Sequence, residues 1–564
     1  MHAALALFVL PLLFSASSVA LRAPLSRHTA KRYEWPSNTN FLSSASNPNG
    51  IPLRNTLDNI YSATITLGGQ EFAVQVDTGS SDLWIKGSSL KSTRITSTTK
   101  VPANITYGKG TVAGPVSFAD LTLGGFTVRS QAFINAQQMA DLEGLGDLDG
   151  LIGLGFHEGS AISAALIQSF GNTQKTIASG FSPTENVFYQ NPTTPNFFTF
   201  LLGRQQDLDG ETSGIFTISE YIPEYSAVSK SQKVPRELNL DPLHWSVLLD
   251  GFSVNGRPYT LKSQVPSIPA GRALVALDTG FSLPPIPEPM VDFIYSSIPG
   301  ALKYTDPDPA NSLWIVPCRA AARVAFDIGG QEVPIHPLDL TMVTNYTIGG
   351  RFVTFCTNRY TPIGNLKAGR LDMVLGDAFL RNVYVSFDYG TLDSRGALTE
   401  TPFVQILPTT QFNEALPEFT AVREKLLRSM PEELPPAEFM KLLAAEEAAT
   451  SSASSAGPGT SDAPPAEAPD AAVLSSGNLE SDISNFDSDP AANALNKYAP
   501  VVIGLLGANV FIVLILCILA VYFLMTRSKN AAKSRVVTPD YRPLKLERFE
   551  GQDHRRGFSG QYDG

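Results

Sequence analysis

The sequence predicts an all-β molecule built from two related lobes, carried on a stalk and one transmembrane helix. Three observations predict it. From about Ile51 to Ile406, short alternating segments such as "YSATITLGGQEFAVQVD" and "NVYVSFDYG" are punctuated by Gly, Pro, Asn and Asp, the period and punctuation of strands. The tripeptide Asp-Thr-Gly occurs twice, at Asp77 and Asp278, after the apolar runs "FAVQV" and "ALVAL". An uncharged apolar run covers Val501 to Met525 and is followed by Arg527, Lys529, Lys533 and Arg535.

The whole chain sets the bounds. At 564 residues and 43% hydrophobic, it exceeds one simple core and has the apolar content for two lobes plus appendages. A formal net charge of −11 argues against a nucleic-acid partner, which would meet a basic face.

Taken from the N-terminus, residues 1–20 read as a signal peptide. The run "ALALFVLPLLFSASSVA" is too short to span a bilayer comfortably and ends in small residues, with Ser18 and Ala20 at the −3 and −1 positions of a cut after Ala20. Residues 21–50 are polar, basic at first (Arg22, Arg27, Lys31, Arg32), then rich in Ser, Asn, Pro and Gly. They suit a removable or disordered propeptide docked by charge on a more acidic mature region.

Residues 51–235 and 236–407 are the expected N-terminal and C-terminal lobes. One Asp-Thr-Gly is weak evidence, since about 0.1 copies are expected by chance in a chain of this length. Two copies after strand-like runs, 201 positions apart, point to one aspartate in each half of a duplicated β unit. Few segments read as helices; "ALIQSF" and "MVDFIYSSIPG" are the short exceptions.

Residues 408–500 change character. "NEALPEFTAVREKLLRSM" and "PAEFMKLLAAEEAAT" can form short helices, but "SSASSAGPGTSDAPPAEAPDAAVLSSGN" cannot build a core. The region is expected to be a stalk. Residues 501–525 are long enough, at about 1.5 Å per residue, to cross a hydrocarbon core of roughly 30 Å. The basic cluster after them predicts a cytosolic tail, 526–564, and everything before them lumenal or extracellular. In that tail "YRPL", from Tyr541 to Leu544, matches a tyrosine-based sorting signal.

Of three cysteines, Cys517 lies in the apolar run. Cys318 and Cys356 remain, and in an oxidising compartment one disulfide between them is the economical reading. The six histidines form no ligand pattern and no Cys/His cluster suits zinc, so neither a metal nor a cofactor is expected. Asn104-Ile-Thr106 and Asn345-Tyr-Thr347 are N-glycosylation sequons. Asn345 is the stronger expectation, because Asn104 lies three residues before Tyr107.

Several motifs in one order carry a resemblance. "VDTGSSDLW" and "LDTGFS" resemble the two active-site motifs of pepsin-type aspartic proteases (family A1). "NITYGKGTVAG" resembles the family's flap hairpin, with Tyr107 at its tip. "DLDGLIGLG" and "LDMVLGDAFLRNVYVSFD" resemble the stretches that thread behind each aspartate loop, at Gly153 and Gly376. The resemblance covers about Asn55 to Leu407, and the stalk and membrane run are more like fungal membrane-anchored members than animal digestive ones. It implies the bilobal pepsin-like fold, with Cys318–Cys356 as the C-lobe disulfide; the family's N-lobe disulfide is missing, since that lobe has no cysteine.

By the same resemblance, Asp77 and Asp278 are the catalytic pair. Two close carboxylates share one proton, the ionised one activating water and the other serving the peptide carbonyl. Thr78 and Thr279 brace the loops, and Gly79 and Gly280 allow close backbone approach. Ser80 bonds the first aspartate, Trp84 supports Tyr107, and Tyr107 with Gly108 covers an extended peptide substrate. The family's usual hydroxyl after the second Asp-Thr-Gly is replaced by Phe281. That replacement predicts a working pH displaced upward, and a Phe281→Thr variant whose acid limb moves down. The expected protein is a monomeric, single-pass type I membrane endopeptidase of the plasma membrane or a vacuolar or endosomal membrane. The alternative is a catalytically silent receptor or adhesion protein of the same fold, which intact Asp77, Asp278, Thr78, Thr279 and Tyr107 argue against.

Overall fold

The computed structural model describes residues 21–26, 58 and 60–455, apart from 108–109, 143–144, 205–213, 307–311, 364–369 and 393–397. The expected signal peptide, most of the propeptide, the apolar run 501–525, the tail with Tyr541, and Gly108 lie outside the described residues. Among the described residues no helix is long and apolar enough to cross a membrane.

Strands dominate, and the two halves repeat one plan. In the first, Gln70–Asp77 pairs antiparallel with Ser62–Leu67 and parallel with Gly150–Gly153, placing Asp77 beside Gly153. In the second, Ala273–Leu277 pairs antiparallel with Ser246–Leu249 and parallel with Met373–Leu375, ending with Leu277 beside Leu375. Each aspartate thus stands at the C-terminal end of a central strand. Central strands are buried on both faces and read as continuous apolar runs, which is why "ALVAL" is buried at every position.

A broad sheet closes the base. In it Phe197–Leu201 pairs with Val383–Asp388, which pairs with Phe403–Pro408, so strands from both halves share one hydrogen-bonded layer. Trp245, Phe198 and Phe387 pack edge-to-face and stacked on that layer. Each such ring, fully buried, contributes roughly 1.5–3 kcal/mol by leaving water. A charged seam supplements the apolar one: Arg204 and Arg381 donate to the two oxygens of buried Asp339, at 2.6 and 2.5 Å.

Among the described residues, seven α-helices decorate the strands: α1 Ala161–Phe170, α2 Gln174–Ser179, α3 Pro183–Gln190, α4 Glu288–Tyr295, α5 Asp377–Leu380, α6 Phe412–Arg428 and α7 Pro436–Ser455. The two short helices expected from sequence fall in α1 and α4. Cys318 and Cys356 form a disulfide, with Cα atoms 5.2 Å apart.

Two expectations need correcting. Residues 21–26, within the expected propeptide, are ordered rather than disordered, forming a strand between Gly214–Ile218 and Ser62–Leu67; this bears on order alone and not on removal. The stalk does not begin at 408. Helix α6 buries Ala415, Phe419, Val422, Arg423 and Leu427, and Leu434 and Phe439 complete an apolar cluster with Ile315, Ile348, Val353 and Phe355. The physical reason is an apolar stripe at helical spacing, which needs a partner surface and finds one on the second lobe.

Candidate active site

The two Asp-Thr-Gly loops meet across the interface of the repeats. Thr78 N donates to Thr279 Oγ1 and Thr279 N to Thr78 Oγ1, both at 3.0 Å. Each hydroxyl in turn donates to a carbonyl of the opposite strand, Thr78 to Leu277 and Thr279 to Val76, both at 2.9 Å. Four reciprocal bonds between buried groups fix the spacing of the loops, since leaving any of these groups unpaired would cost roughly 1–3 kcal/mol.

The brace presses the carboxyls together. A Cβ on Gly79 would lie 2.0 Å from Asp278 Oδ2, and one on Gly280 would lie 2.5 Å from Asp77 Oδ1. Only glycine fits at either place. Gly79 N donates to Asp77 Oδ1 at 2.8 Å and Gly280 N to Asp278 Oδ1 at 2.7 Å. Ser80 Oγ donates to Asp77 Oδ2 at 2.5 Å. Among the described residues no side-chain hydroxyl does the same for Asp278. Phe281 is half-buried, and its carbonyl accepts from Asp377 N at 2.7 Å. Burial, then the neighbouring charge of Asp77, hold the Asp278 carboxyl well above the usual carboxylate range.

Trp84 is fully buried and its Nε1 donates to the Tyr107 hydroxyl at 2.8 Å. Burial and the charge of Asp77 push the Tyr107 phenol well above its ordinary range, so it stays a neutral hydroxyl. Tyr107 directly follows the strand Ser97–Thr106, whose hairpin partner is Thr111–Leu123. Asn104 lies exposed on that strand, whereas Asn345 is half-buried on the strand Thr341–Ile348.

Three supporting carboxylates went unremarked in the sequence. Asp149, four residues before Gly153, accepts from Ala73 N at 3.0 Å and Ser89 Oγ at 2.8 Å. Asp372, four residues before Gly376, accepts from Leu274 N at 2.8 Å, Gln264 N at 2.6 Å and Ser263 Oγ at 2.6 Å. Each pins the strand that leads into an aspartate, at the equivalent residue of each repeat. The matching offset from Gly153 and Gly376 was the available signal. Asp82 accepts from Ser160 Oγ and from the Ala161 and Ile162 amides, tying the first aspartate loop to the N-terminus of α1. Burial raises its pKa against those bonds.

His157, Glu158 and Glu185 bring potential metal-ligand atoms within 4.8 Å of one another. Glu185 is already committed, with Oε1 on His157 Nδ1 and Oε2 accepting from the His157 and Ser182 amides. The group caps α3, and neither it nor the aspartate pair needs a metal to account for its geometry.

The family model for eukaryotic aspartyl proteases matches residues 60–397. The chain belongs to that family, and it is an aspartic-type endopeptidase. Major aspartyl peptidase 1 of Cryptococcus neoformans is 26% identical over 353 residues, covering 59% of this chain and 67% of that protein. The aspartic protease of Phaffia rhodozyma is 28% identical over 353 residues, covering 59% of this chain and 75% of its own. A probable aspartic-type endopeptidase CTSD of Arthroderma benhamiae is 26% identical over 363 residues, and the match covers 61% of this chain and 62% of that one. The crystal structure of the aspartic proteinase from Irpex lacteus is similar over 64% of this chain and 97% of that chain, at 19% identity and a TM-score of 0.46.

Proposed function

We propose that Asp77 and Asp278 are the catalytic pair of a membrane-tethered endopeptidase working outside the cytosol. The carrying observation is the cross-braced pair itself, in which each glycine amide supports its own aspartate while its Cα lies against the opposite one. Burial, then the neighbouring charge of Asp77, hold the Asp278 carboxyl above its ordinary range, which favours Asp278 as the resting place of the shared proton. Asp77 accepts from both Ser80 Oγ and Gly79 N. Water bound between the two aspartates loses a proton to the ionised carboxylate and attacks the scissile carbonyl, while the carboxyl of Asp278 donates to the carbonyl oxygen. The pair titrates as one unit, so these roles belong to the ground state.

The substrate reading is an extended peptide paired along the hairpin that bears Tyr107, with side chains in alternating pockets. Tethering rests on the sequence of residues 501–525 and the basic residues after them. The deciding assay is cleavage of an acid-unfolded protein by the purified full-length chain. Asp77→Asn and Asp278→Asn should each abolish it, and a statine-type inhibitor should block the parent. Full cleavage by either variant removes the proposed pair. An inactive but correctly processed parent would favour the silent-receptor alternative. Extraction into detergent but not into alkaline carbonate would support the tether, and release by carbonate would remove it.

A further inference from the structure

The two sequons stand in opposite structural situations. Asn104 and Thr106 are exposed on the strand Ser97–Thr106, where residues alternate between buried and exposed positions. Side chains of a strand alternate between faces, so Asn104 points away from the face of Ile105 and Tyr107. A sugar there leaves the aspartate pair uncovered.

Asn345 is half-buried against the segment joining α6 to α7. Its Nδ2, the atom that would carry the sugar, lies 3.6 Å from Met430 Sδ. Its Oδ1 lies 2.9 Å from Thr354 Oγ1, which is also 2.8 Å from the Pro431 carbonyl oxygen. The segment is held over it by several bonds. Thr354 N donates to Glu432 O at 2.9 Å, and Leu434 N donates to Thr354 O at 2.8 Å. Glu433 accepts from Cys318 N at 2.8 Å and pairs with Arg319. Leu434 is buried beneath. A glycan on Nδ2 must therefore displace either the Asn345 side chain or the whole segment.

We propose that Asn104 is the glycosylated sequon of the folded protein, and that a glycan on Asn345 and docked C-terminal helices exclude one another. The inference rests on the lumenal routing proposed above. N-glycans are added to chains entering the lumen, before residues 409–446 can pack. Occupancy at Asn345 would then decide whether those residues join the second lobe or hang free as additional stalk.

The full-length chain, expressed in a eukaryotic secretory host, is subjected to limited proteolysis. Protected and nicked populations are then deglycosylated in heavy-oxygen water and mapped by mass spectrometry. The expected result is label at Asn104, and none at Asn345 in molecules whose residues 409–446 resist cleavage. Any Asn345 label should be confined to nicked molecules. Thr347→Ala should leave mass and protease resistance unchanged, whereas Thr106→Ala should lose one glycan mass. Label at Asn345 in protected molecules overturns the exclusion. An unlabelled Asn104 in protein whose residues 1–20 have been removed overturns the assignment. An unlabelled protein that retains residues 1–20 overturns the lumenal routing instead, and this inference with it.

Discussion

Phe281 makes the two halves of the site unequal. Asp77 accepts from a glycine amide and a serine hydroxyl, whereas Asp278 accepts from the glycine amide of its own loop and faces the charge of Asp77. A hydroxyl at 281 would favour the ionised form of Asp278. Hydrogen bonds to charged groups contribute roughly 1.5–3 kcal/mol, and one pKa unit is about 1.4 kcal/mol. Phe281→Thr should therefore lower the upper pKa of kcat/KM by roughly one to two units. The sequence alone pointed to the acid limb; with the shared proton on Asp278, as proposed above, the effect falls on the alkaline limb. An unmoved alkaline limb would sink the idea. Asp372 offers a second test. Removing its carboxylate in Asp372→Ala strands two backbone amides and a hydroxyl, and should cost roughly 3 kcal/mol in urea unfolding, with the aspartate pair itself intact. A loss below about 1 kcal/mol would show that water replaces it.

At the scale of elements, what was legible divides by how local the signal was. The paired Asp-Thr-Gly loops, their strands and the glycines behind them could be read because each is a short motif with its own backbone demand. The strand at 21–26 could not, because its ladder partners lie about 40 and 190 residues onward and its own composition reads as turn and tail. Helices α6 and α7 were visible as helices but not as docked ones. Averaged over 408–500, the Pro/Ala/Ser-rich stretch hides the stripe of Phe419, Val422 and Leu427, and only the facing surface of the second lobe gives that stripe a partner. Phe439 stacks on Phe355 with centroids 4.1 Å apart and is 4% exposed. Phe439→Ala should destabilise this end of the lobe by roughly 3 kcal/mol and open residues 435–446 to protease before the rest unfolds. Unchanged protection would mean that Arg423 and Glu433 hold the helices without the ring.

For the whole molecule, three buried groups pull stability in different directions as pH changes. Burial would raise the pKa of Asp339, but Arg204 and Arg381 outweigh it and hold it low. Its contribution is present above the unfolded value of about 3.9 and is lost as pH falls through its folded value. His336 is held below its ordinary value by burial and by Arg204, against the pull of Glu418 on α6 and of Asp339. Its Nδ1 accepts from Leu338 N at 3.1 Å, so the neutral ring suits the fold, and stability falls as pH drops below about 6.5. Asp278 works the other way. Its folded pKa is raised, so the folded state binds the extra proton, and stability is lost as pH rises from about 3.9 toward the folded value. Between those limits the slopes of His336 and Asp278 oppose each other. Asp278→Asn removes one of them, since an amide does not titrate in this range. The melting temperature of that variant, minus that of the parent, should therefore grow as pH is raised above about 4 toward the folded pKa of Asp278. The slope is bounded by about 1.4 kcal/mol per pH unit for a single proton. A difference that stays constant across this range would mean that the pair's shared proton costs the fold nothing, and that its placement on Asp278 is wrong.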